Sequence, residues 1–336
     1  MSLTLQGLLS VSTLTDLFTR HCSPLDSASS TDAYASMHLQ MPMELNTEII
    51  TTPPLDAATV ILLRDSAEGL QVLLMRRHQA SNVLGGAYVF PGGKLDADDH
   101  HPELIARLSQ SPAQLQQRLN EPELAPERAA ALFMAAIREA FEESGVLLCQ
   151  SAAGADAAQV SALQQALAQG QSWGAALQSL ALQVQAEALV PWSRWITPRQ
   201  ASVTNKRFDT RFFVSHVPED QIAQHDNHET TDSVWISPTA ALGRYVAGEI
   251  ELAPPQIMSL VHLKQHANAR SVVAEAQLRK PPVIQPEPFD QEGTRVICYP
   301  GDPRHSVAER AMPGPSRLRF TGGRFEPEAG IGHLLD

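Results

Sequence analysis

The chain of 336 residues carries 25 Lys and Arg against 37 Asp and Glu, a formal net charge of -12 at pH 7, with 43% hydrophobic residues. This content suffices for a sizeable core, while the acidic balance, with no run of five basic residues, argues against binding to nucleic acid. No apolar run approaches the roughly 18 residues of a membrane span, and the three cysteines fit no disulfide or metal-ligand spacing. We therefore expect a globular protein of the cytoplasm with neither nucleic-acid nor membrane partners.

The N-terminal residues 1–45 are rich in Ser, Thr and Met and show no sustained period. We interpret them as a tail that is either disordered or the product of an overextended start, with Met41 and Met43 as alternative starts. Residues 46–280 are expected to form the main domain, and residues 281–336 a C-terminal extension with strand-like segments.

The main domain begins with strand patterns. Two apolar runs, 59–63 and 71–75, flank the turn sequence DSAEG and predict a β-hairpin. The stretch AYVFPGG that follows has strand character and ends in glycines. Further along the chain, RFFVSHV and SVWIS also predict strands, as do TRVICYP and SRLRFTGGRFE in the extension.

Helical patterns fill the stretches between these strands. Residues 100–125 are expected to form a polar insert with short helices, after which Pro126 begins a long Ala-rich helix that ends at Gly145. Residues 152–189 predict two helices broken at Gly170, on their helix propensity. The stretch PPQIMSLVHLKQHA predicts a helix that begins at a proline pair.

The end of the long helix carries an unusual charge pattern in the stretch AAIREAFEESGV, residues 135–146. Glu139, Glu142 and Glu143 share one helical face, where like charges repel, and they lie near the C-terminus, where the helix dipole disfavours negative charge. A solvated acidic face is the ordinary explanation of such a run. The position in the helix favours a bound cation or a functional demand.

A second motif, FPGGKLDADD at residues 90–99, lies upstream of this helix, and together the two resemble the conserved box of Nudix hydrolases. Gly93 and Asp99 match the first part, with Asp in place of the usual Glu, and Arg138, Glu139, Glu142, Glu143 and Gly145 match the second. The two parts are separated by 38 residues, far more than in the usual box. An interrupted box resembles the peroxisomal coenzyme A diphosphatases of mammals and their bacterial relatives.

The resemblance extends over most of residues 57–260 and weakly to YPGD near residue 300. It implies an α/β/α sandwich with a mixed sheet and helical insertions within and after the box. It also implies that Mg²⁺ or Mn²⁺ is bound by Glu139, Glu142, Glu143 and the carbonyl oxygen of Gly92, with Arg138 holding a box carboxylate in place. Glu229 resembles the downstream metal-binding or base glutamate of some members, although an ordinary polar loop would look the same.

Candidate substrate contacts are Arg76, Arg77 and Arg207, because guanidinium groups suit bidentate contacts to phosphate, and Phe208, which could stack on a base. Structural roles are the alternative for each. The stretch LLMRRHQASNVLGGAYVFPGG resembles in part the coenzyme A motif found before the box, with departures at Met75 and Asn82.

The reaction that the resemblance implies is divalent-metal-dependent hydrolysis of a nucleoside diphosphate linked to another moiety, with coenzyme A or acyl-CoA favoured. The small-molecule substrate could instead be ADP-ribose, NADH or another dinucleotide. A nucleotide-sensing module without turnover is the alternative from another functional class. Because family members often dimerise, a homodimer is also among the expectations.

Overall fold

A computed structural model describes residues 48–79, 85–150, 157–200, 206–217 and 230–336, all within one compact unit. The described strands are β1 (Leu55–Ser66), β2 (Gly69–Arg77), β3 (Tyr88–Val89), β4 (Gly92–Lys94), β5 (Cys149–Gln150), β6 (Gln183–Val184), β7 (Val190–Ile196), β8 (Phe208–His216), β9 (Thr230–Ile236), β10 (Val283–Ile284), β11 (Glu287–Gln291), β12 (Thr294–Cys298), β13 (Arg317–Thr321) and β14 (Arg324–Glu326). The described α-helices are α1 (Pro102–Ile105), α2 (Pro112–Leu119), α3 (Pro126–Ser144), α4 (Ala157–Ala168), α5 (Trp173–Ser179), α6 (Pro238–Ala247), α7 (Pro254–Leu263) and α8 (Ala269–Leu278). None of these helices is long and apolar enough to cross a membrane.

An eight-stranded mixed sheet forms the centre of the fold, in the order β10-β7-β8-β1-β2-β3, with β4 also paired to β1 and β9 to β2. The predicted hairpin of β1 and β2 is confirmed, with Leu63 opposite Val72. β1 runs parallel to β8 and antiparallel to β2 and β4. The sheet is therefore mixed, as expected.

Helices cover both faces of this sheet. Successive side chains of a strand point to opposite faces, so Val60 and Leu62 of β1 enter one core while Ile61 and Leu63 enter the other. The first core is shared with helices α1 to α5, and the second with α6, α7 and α8. This arrangement is the α/β/α sandwich that the sequence predicts.

The two helical insertions lie on the face of the sheet that contributes to the first core. The predicted pair of helices within 152–189 is confirmed for its described part, where α4 and α5 flank Gly170. The helical pattern ends earlier than predicted, because Gln183 and Val184 form β6, which pairs with β5. Val184 is fully buried there, so packing in the core outweighs the helix propensity of this Ala-rich stretch.

The C-terminal residues 281–336 contribute β10 to the central sheet and form a four-stranded antiparallel sheet, β11-β12-β13-β14, which confirms their strand-like pattern. Ile297, Leu318 and Phe325 of this smaller sheet belong to the second core. The hydroxyl of Tyr245 on α6 donates to the Phe325 carbonyl at 2.8 Å and accepts from its N–H at 2.9 Å. The extension therefore packs directly on the main domain, whose boundary at residue 280 stays a prediction.

Candidate active site

The helix α3 positions the acidic motif. Its Ala-rich sequence packs closely on β1, and almost every residue from Ala129 to Ile137 is fully buried. As predicted, Gly145 ends the helix, with a φ of 70° and an N–H that donates to the Phe141 carbonyl at 2.7 Å. The buried helix body thus holds the glutamates of its last turns beside β4.

Arg138 connects these glutamates to the upstream motif. Its Nε and Nη2 donate to the two carboxylate oxygens of Asp99, each at 2.9 Å. Its Nη1 donates at 2.9 Å to both Glu139 and Glu142. The predicted pairing of Arg138 with a box carboxylate is therefore confirmed, with three partners.

This contact closes the interrupted box in space. Asp99 lies in a 3-10 helix, Ala97–His100, and its Oδ2 also accepts the N–H of Asp96 at 2.8 Å. The chain then leaves through α1 and α2 and returns in α3. The 38 intervening residues consequently change the sequence spacing of the motif and leave the contact between its two halves intact.

The glycines of β4 bring the backbone close to α3. The N–H of Gly92 donates to Glu143 Oε2 at 3.0 Å, which ties the strand to a carboxylate that is 3% exposed. A Cβ atom at Gly93 would overlap the carboxylate of Glu139, and one at Gly92 would overlap the backbone of β1. Glycine at position 93 thus leaves room for the Glu139 carboxylate, and glycine at position 92 lets β4 approach β1.

The electrostatics of the site favour a bound cation. One guanidinium faces the carboxylates of Asp99, Glu139 and Glu142, with Glu143 adjacent. Burial raises the pKa of Glu142 in spite of the opposing charge of Arg138. For Arg138, burial alone would lower the pKa, but the hydrogen bond to Asp99 and the neighbouring carboxylates raise it above its usual value, so it stays charged. Carboxylate oxygens are hard ligands of the chemical type that Mg²⁺ and Mn²⁺ prefer.

The predicted phosphate contacts Arg76 and Arg77 end strand β2, where Arg76 lies opposite Tyr88 of β3 and Asp232 of β9. Arg76 Nε donates to the carbonyl of Gly86 at 3.4 Å. Tyr88 precedes Gly92 by four residues, a chain length of at most roughly 14 Å, and Arg76 lies one strand spacing of about 5 Å from Tyr88. The role of Arg76 and Arg77 as phosphate contacts stays a prediction.

Arg207 and Phe208 lie near the N-terminal end of β1, the end at which β4 also pairs. Arg207 is buried, and it donates to the carbonyls of Thr197 at 2.9 Å and Thr52 at 3.3 Å. These contacts support a structural role. Phe208 is half-buried and pairs with Leu55 of β1, whereas Gly92 pairs with Thr59. Leu55 and Thr59 are four residues apart, which is about 13 Å along a strand. Their roles in binding substrate stay predictions.

The predicted ligand or base Glu229 lies outside the described residues, so its position relative to the box stays untested.

Two features of the site were absent from the sequence-based list of site residues. Asp99 is the buried anchor of Arg138, and its place in the matched box was the signal that could have identified it. The hydroxyl of Tyr88 donates to Asp232 Oδ2 at 2.7 Å, and burial followed by this contact raises the pKa of Tyr88 to about 12. The sequence carries no signal for that pair, because it depends on the pairing of β2 with both β3 and β9.

Comparisons with known proteins agree with this geometry. Residues 51–263 match the family model described as the NUDT19 Nudix domain. The chain is 30% identical over 234 residues to acyl-coenzyme A diphosphatase NUDT19 of Xenopus laevis, covering 60% of this chain and 61% of that protein. It is 30% identical over 237 residues to the human protein of the same name, covering 60% and 62%. The matches thus span about three fifths of the length of these relatives.

A solved structure shares the fold. The NUDIX hydrolase from Alicyclobacillus acidocaldarius superposes with a TM-score of 0.52 at 26% identity, covering 67% of this chain and 97% of that one. The family match spans more than half of the chain and includes both halves of the box. The chain therefore belongs to the Nudix hydrolases, in the family of the NUDT19 Nudix domain.

Proposed function

We propose that this protein is a divalent-metal-dependent pyrophosphohydrolase that cleaves coenzyme A or an acyl-CoA to (acyl-)4′-phosphopantetheine and adenosine 3′,5′-bisphosphate. In this reaction the elements of water add across the diphosphate. One P–O bond of the bridge breaks, a new P–O bond forms to the water oxygen, and each product keeps one phosphoryl group of the bridge.

The observation that carries the proposal is the reassembled box, in which Arg138 joins Asp99 to Glu139 and Glu142. A non-catalytic sensor would have no need to keep this complete carboxylate set. Its retention supports turnover over binding alone.

The proposed metal ligands are Glu139, Glu142, Glu143 and the Gly92 carbonyl. A bound Mg²⁺ or Mn²⁺ supplies charge neutralisation at the phosphate oxygens and a water of lowered pKa. The chain's own part is to fix its ligands: Arg138 orients Glu139 and Glu142, while the Gly92 N–H orients Glu143. Glu229 is retained as a proposed additional ligand or base.

The choice of substrate rests on the relatives and on the partial motif. The two vertebrate relatives are named acyl-coenzyme A diphosphatases. Within the partial coenzyme A motif, Arg77 and Gly86 match, and Gly86 has a φ of 80°, which a residue with a side chain rarely adopts. Arg76 and Arg77 are the proposed phosphate contacts. The alternative substrates ADP-ribose and NADH share the diphosphate that these arginines would bind.

The test is a chromatographic product assay with Mg²⁺ or Mn²⁺ against coenzyme A, acyl-CoA, ADP-ribose and NADH. Glu142→Gln is compared with Glu127→Gln, an exposed glutamate at the other end of the same helix. We expect metal-dependent formation of adenosine 3′,5′-bisphosphate that Glu142→Gln lowers by at least about a hundredfold and Glu127→Gln leaves unchanged.

The other outcomes are equally informative. Preferential cleavage of ADP-ribose or NADH would retain the mechanism and overturn the substrate. Tight binding of coenzyme A without any turnover in either metal would overturn hydrolysis in favour of a sensor.

A further inference from the structure

A group of potential metal ligands lies on the opposite face of the sheet from the box. His262 near the end of α7, His266 just beyond it and Glu275 on α8 bring their ligand atoms within 4.8 Å of one another. His262 Nε2 is 2.9 Å from Glu275 Oε1, and His266 Nε2 is 3.0 Å from Glu275 Oε2. His262 belongs to the second layer of the fold, whereas the box carboxylates lie on α3 in the first.

The hydrogen-bond network assigns the proton of His266. The Ser271 hydroxyl donates to the Asn268 carbonyl at 2.7 Å, so its oxygen is left to accept from His266 Nδ1, which is 3.1 Å away. In neutral His266 this arrangement puts the proton on Nδ1 and a lone pair on Nε2. That Nε2 is buried, has no hydrogen-bond donor or acceptor of suitable geometry, and faces a carboxylate oxygen. A lone pair opposite a carboxylate is unfavourable unless a metal ion or a proton lies between them.

Neighbouring residues fix the orientation of Glu275 and His262, as the residues around a metal site usually do for its ligands. Arg279 Nε donates to Glu275 Oε1 at 2.8 Å, and its Nη1 donates to the Trp192 carbonyl at 3.0 Å. The ring of Trp192 packs against that of His262 in a tilted arrangement, with centroids 4.5 Å apart. Hydrogen bonds to ligating carboxylates and histidines are the usual outer support of a bound metal, since they fix ligand orientation.

A cavity beside these residues leaves space for a further ligand of a bound metal. His262, Glu275 and Arg279, together with residues 310–314 of the extension, line an open cavity of about 550 Å³. Two histidines and one carboxylate would leave a coordination position of a bound metal free. A water molecule or an anionic group held by Arg279 and Arg310 could complete the coordination from this cavity.

We propose that His262, His266 and Glu275 form a second metal site, independent of the box, that takes a divalent transition metal with Zn²⁺ as the best match. Imidazole nitrogen suits Zn²⁺, whereas Mg²⁺ prefers all-oxygen sites such as the box. The observed nitrogen–oxygen separations of 2.9 and 3.0 Å are close to the roughly 3.3 Å between two ligands of a tetrahedral ion with bonds near 2.0 Å. Binding would therefore need small shifts of these side chains, whose ligand atoms already lie within 4.8 Å of one another.

The test is calorimetric titration of the chelator-treated full-length protein with Zn²⁺ in excess Mg²⁺, which occupies the box. We expect one Zn²⁺ per chain. His266→Ala and Glu275→Gln should weaken binding by at least about tenfold. The exposed His333→Ala is the matched control and should bind as the wild type does. Glu142→Gln should also retain Zn²⁺, so this test is separate from that of the proposed function.

Absence of Zn²⁺ binding by the wild type, or equal binding by His266→Ala, would overturn the proposal. A second measurement uses only the wild type, so it does not depend on whether the variants fold. Co²⁺ added to the wild type should give visible d–d bands of low-coordinate geometry that equimolar Zn²⁺ abolishes. If only the weak bands of hexaaquo Co²⁺ are seen, His266 is a protonated partner of Glu275 and the site binds no metal.

Discussion

Asp99 and Arg138 form a two-point ion pair across 38 intervening residues, with side chains that are 1% and 8% exposed. A bidentate pair of this kind fixes both distance and orientation. Because Nη1 of the same guanidinium also binds Glu139 and Glu142, the orientation set by Asp99 is passed to two proposed metal ligands. The insertion is thus tolerated because one buried contact joins the two halves of the box.

Asp99→Asn should destabilise the protein and impair catalysis together. An amide presents an NH₂ group to the guanidinium at one of the two contacts, so the buried guanidinium loses one of its three carboxylate partners. We expect the free energy of unfolding to fall by about 2 kcal/mol, measured by urea denaturation. The exposed neighbour Asp98→Asn serves as control and should stay within about 0.5 kcal/mol of the wild type. Equal midpoints for the two variants would contradict the anchoring role.

Gly93→Ala should impair activity far more than stability. The added methyl group would overlap the Glu139 carboxylate, which lies at the end of a flexible side chain and can move away. The protein should therefore stay folded while a proposed metal ligand is displaced. Misplacement of a catalytic group by about 1 Å can lower kcat roughly a hundredfold, and we expect a loss of that order in a steady-state assay.

A matched substitution separates this effect from a general cost of replacing glycine. Gly243 in helix α6 has open space where a Cβ would stand. Gly243→Ala should keep full activity and raise the free energy of unfolding by about 0.5 to 1 kcal/mol, since alanine is the better helix former. If Gly93→Ala retained wild-type kcat, the close approach of β4 to Glu139 would have no catalytic importance.

The parts of the fold that the sequence predicted depend on local patterns. The hairpin of β1 and β2 follows from two apolar runs around a turn, and α3 follows from helical periodicity between Pro126 and Gly145. Strand β7 was not predicted. Its burial depends on pairing with β8 and on the packing of Trp192 against α7 and α8, and those contacts are distant in sequence.

In the candidate site, too, the sequence predicted what depends on local spacing and missed what depends on contacts distant in sequence. The glutamates of α3 were identifiable because helical spacing puts them on one face. The structural contacts of Arg207 were not, because the carbonyls of Thr52 and Thr197 approach its side chain only after the chain has folded. A guanidinium bound to phosphate and one bound to backbone carbonyls have the same appearance in a sequence.

A second ion-pair group attaches the box insertion to the sheet. Arg211 of β8, which is 3% exposed, donates to both carboxylate oxygens of Glu121 at 3.0 and 2.6 Å. The carboxylate of Glu121 also forms an ion pair with Arg194 of β7, at 2.9 Å. Glu121→Gln should lower the free energy of unfolding by about 2 kcal/mol, because two guanidinium groups lose a shared charge while each keeps its ion pair with Asp209.

The loss of stability in Glu121→Gln should also be concentrated in the helix next to Glu121. Amide hydrogen exchange in α2, which directly precedes Glu121, should accelerate in Glu121→Gln and stay slow in the exposed control Glu123→Gln. Unchanged exchange in α2 would show that this insertion is held by its apolar contacts alone.

The C-terminal extension contains a carboxylate that should make stability depend on pH in the acid range. Burial alone would raise the pKa of Asp302, but hydrogen bonds from Arg317, from the Ser316 hydroxyl and from the Arg304 N–H lower it to about 2. Because this folded-state pKa lies below the unfolded value of about 4, the unfolded chain binds the proton more readily. Asp302 therefore contributes stability above about pH 4, and this contribution is lost as the pH falls towards 2.

Asp302→Asn should remove this contribution. The difference in unfolding free energy between wild type and variant should reach at most about 2 kcal/mol at pH 7 and shrink between pH 4 and pH 2, measured by urea denaturation at each pH. Glu309→Gln, an exposed acidic residue of the same segment, should show no such difference. Because Asp302 binds Arg317 at the start of β13, a constant difference across the range would mean that it acts through packing and hydrogen-bond geometry, with no net contribution from its charge.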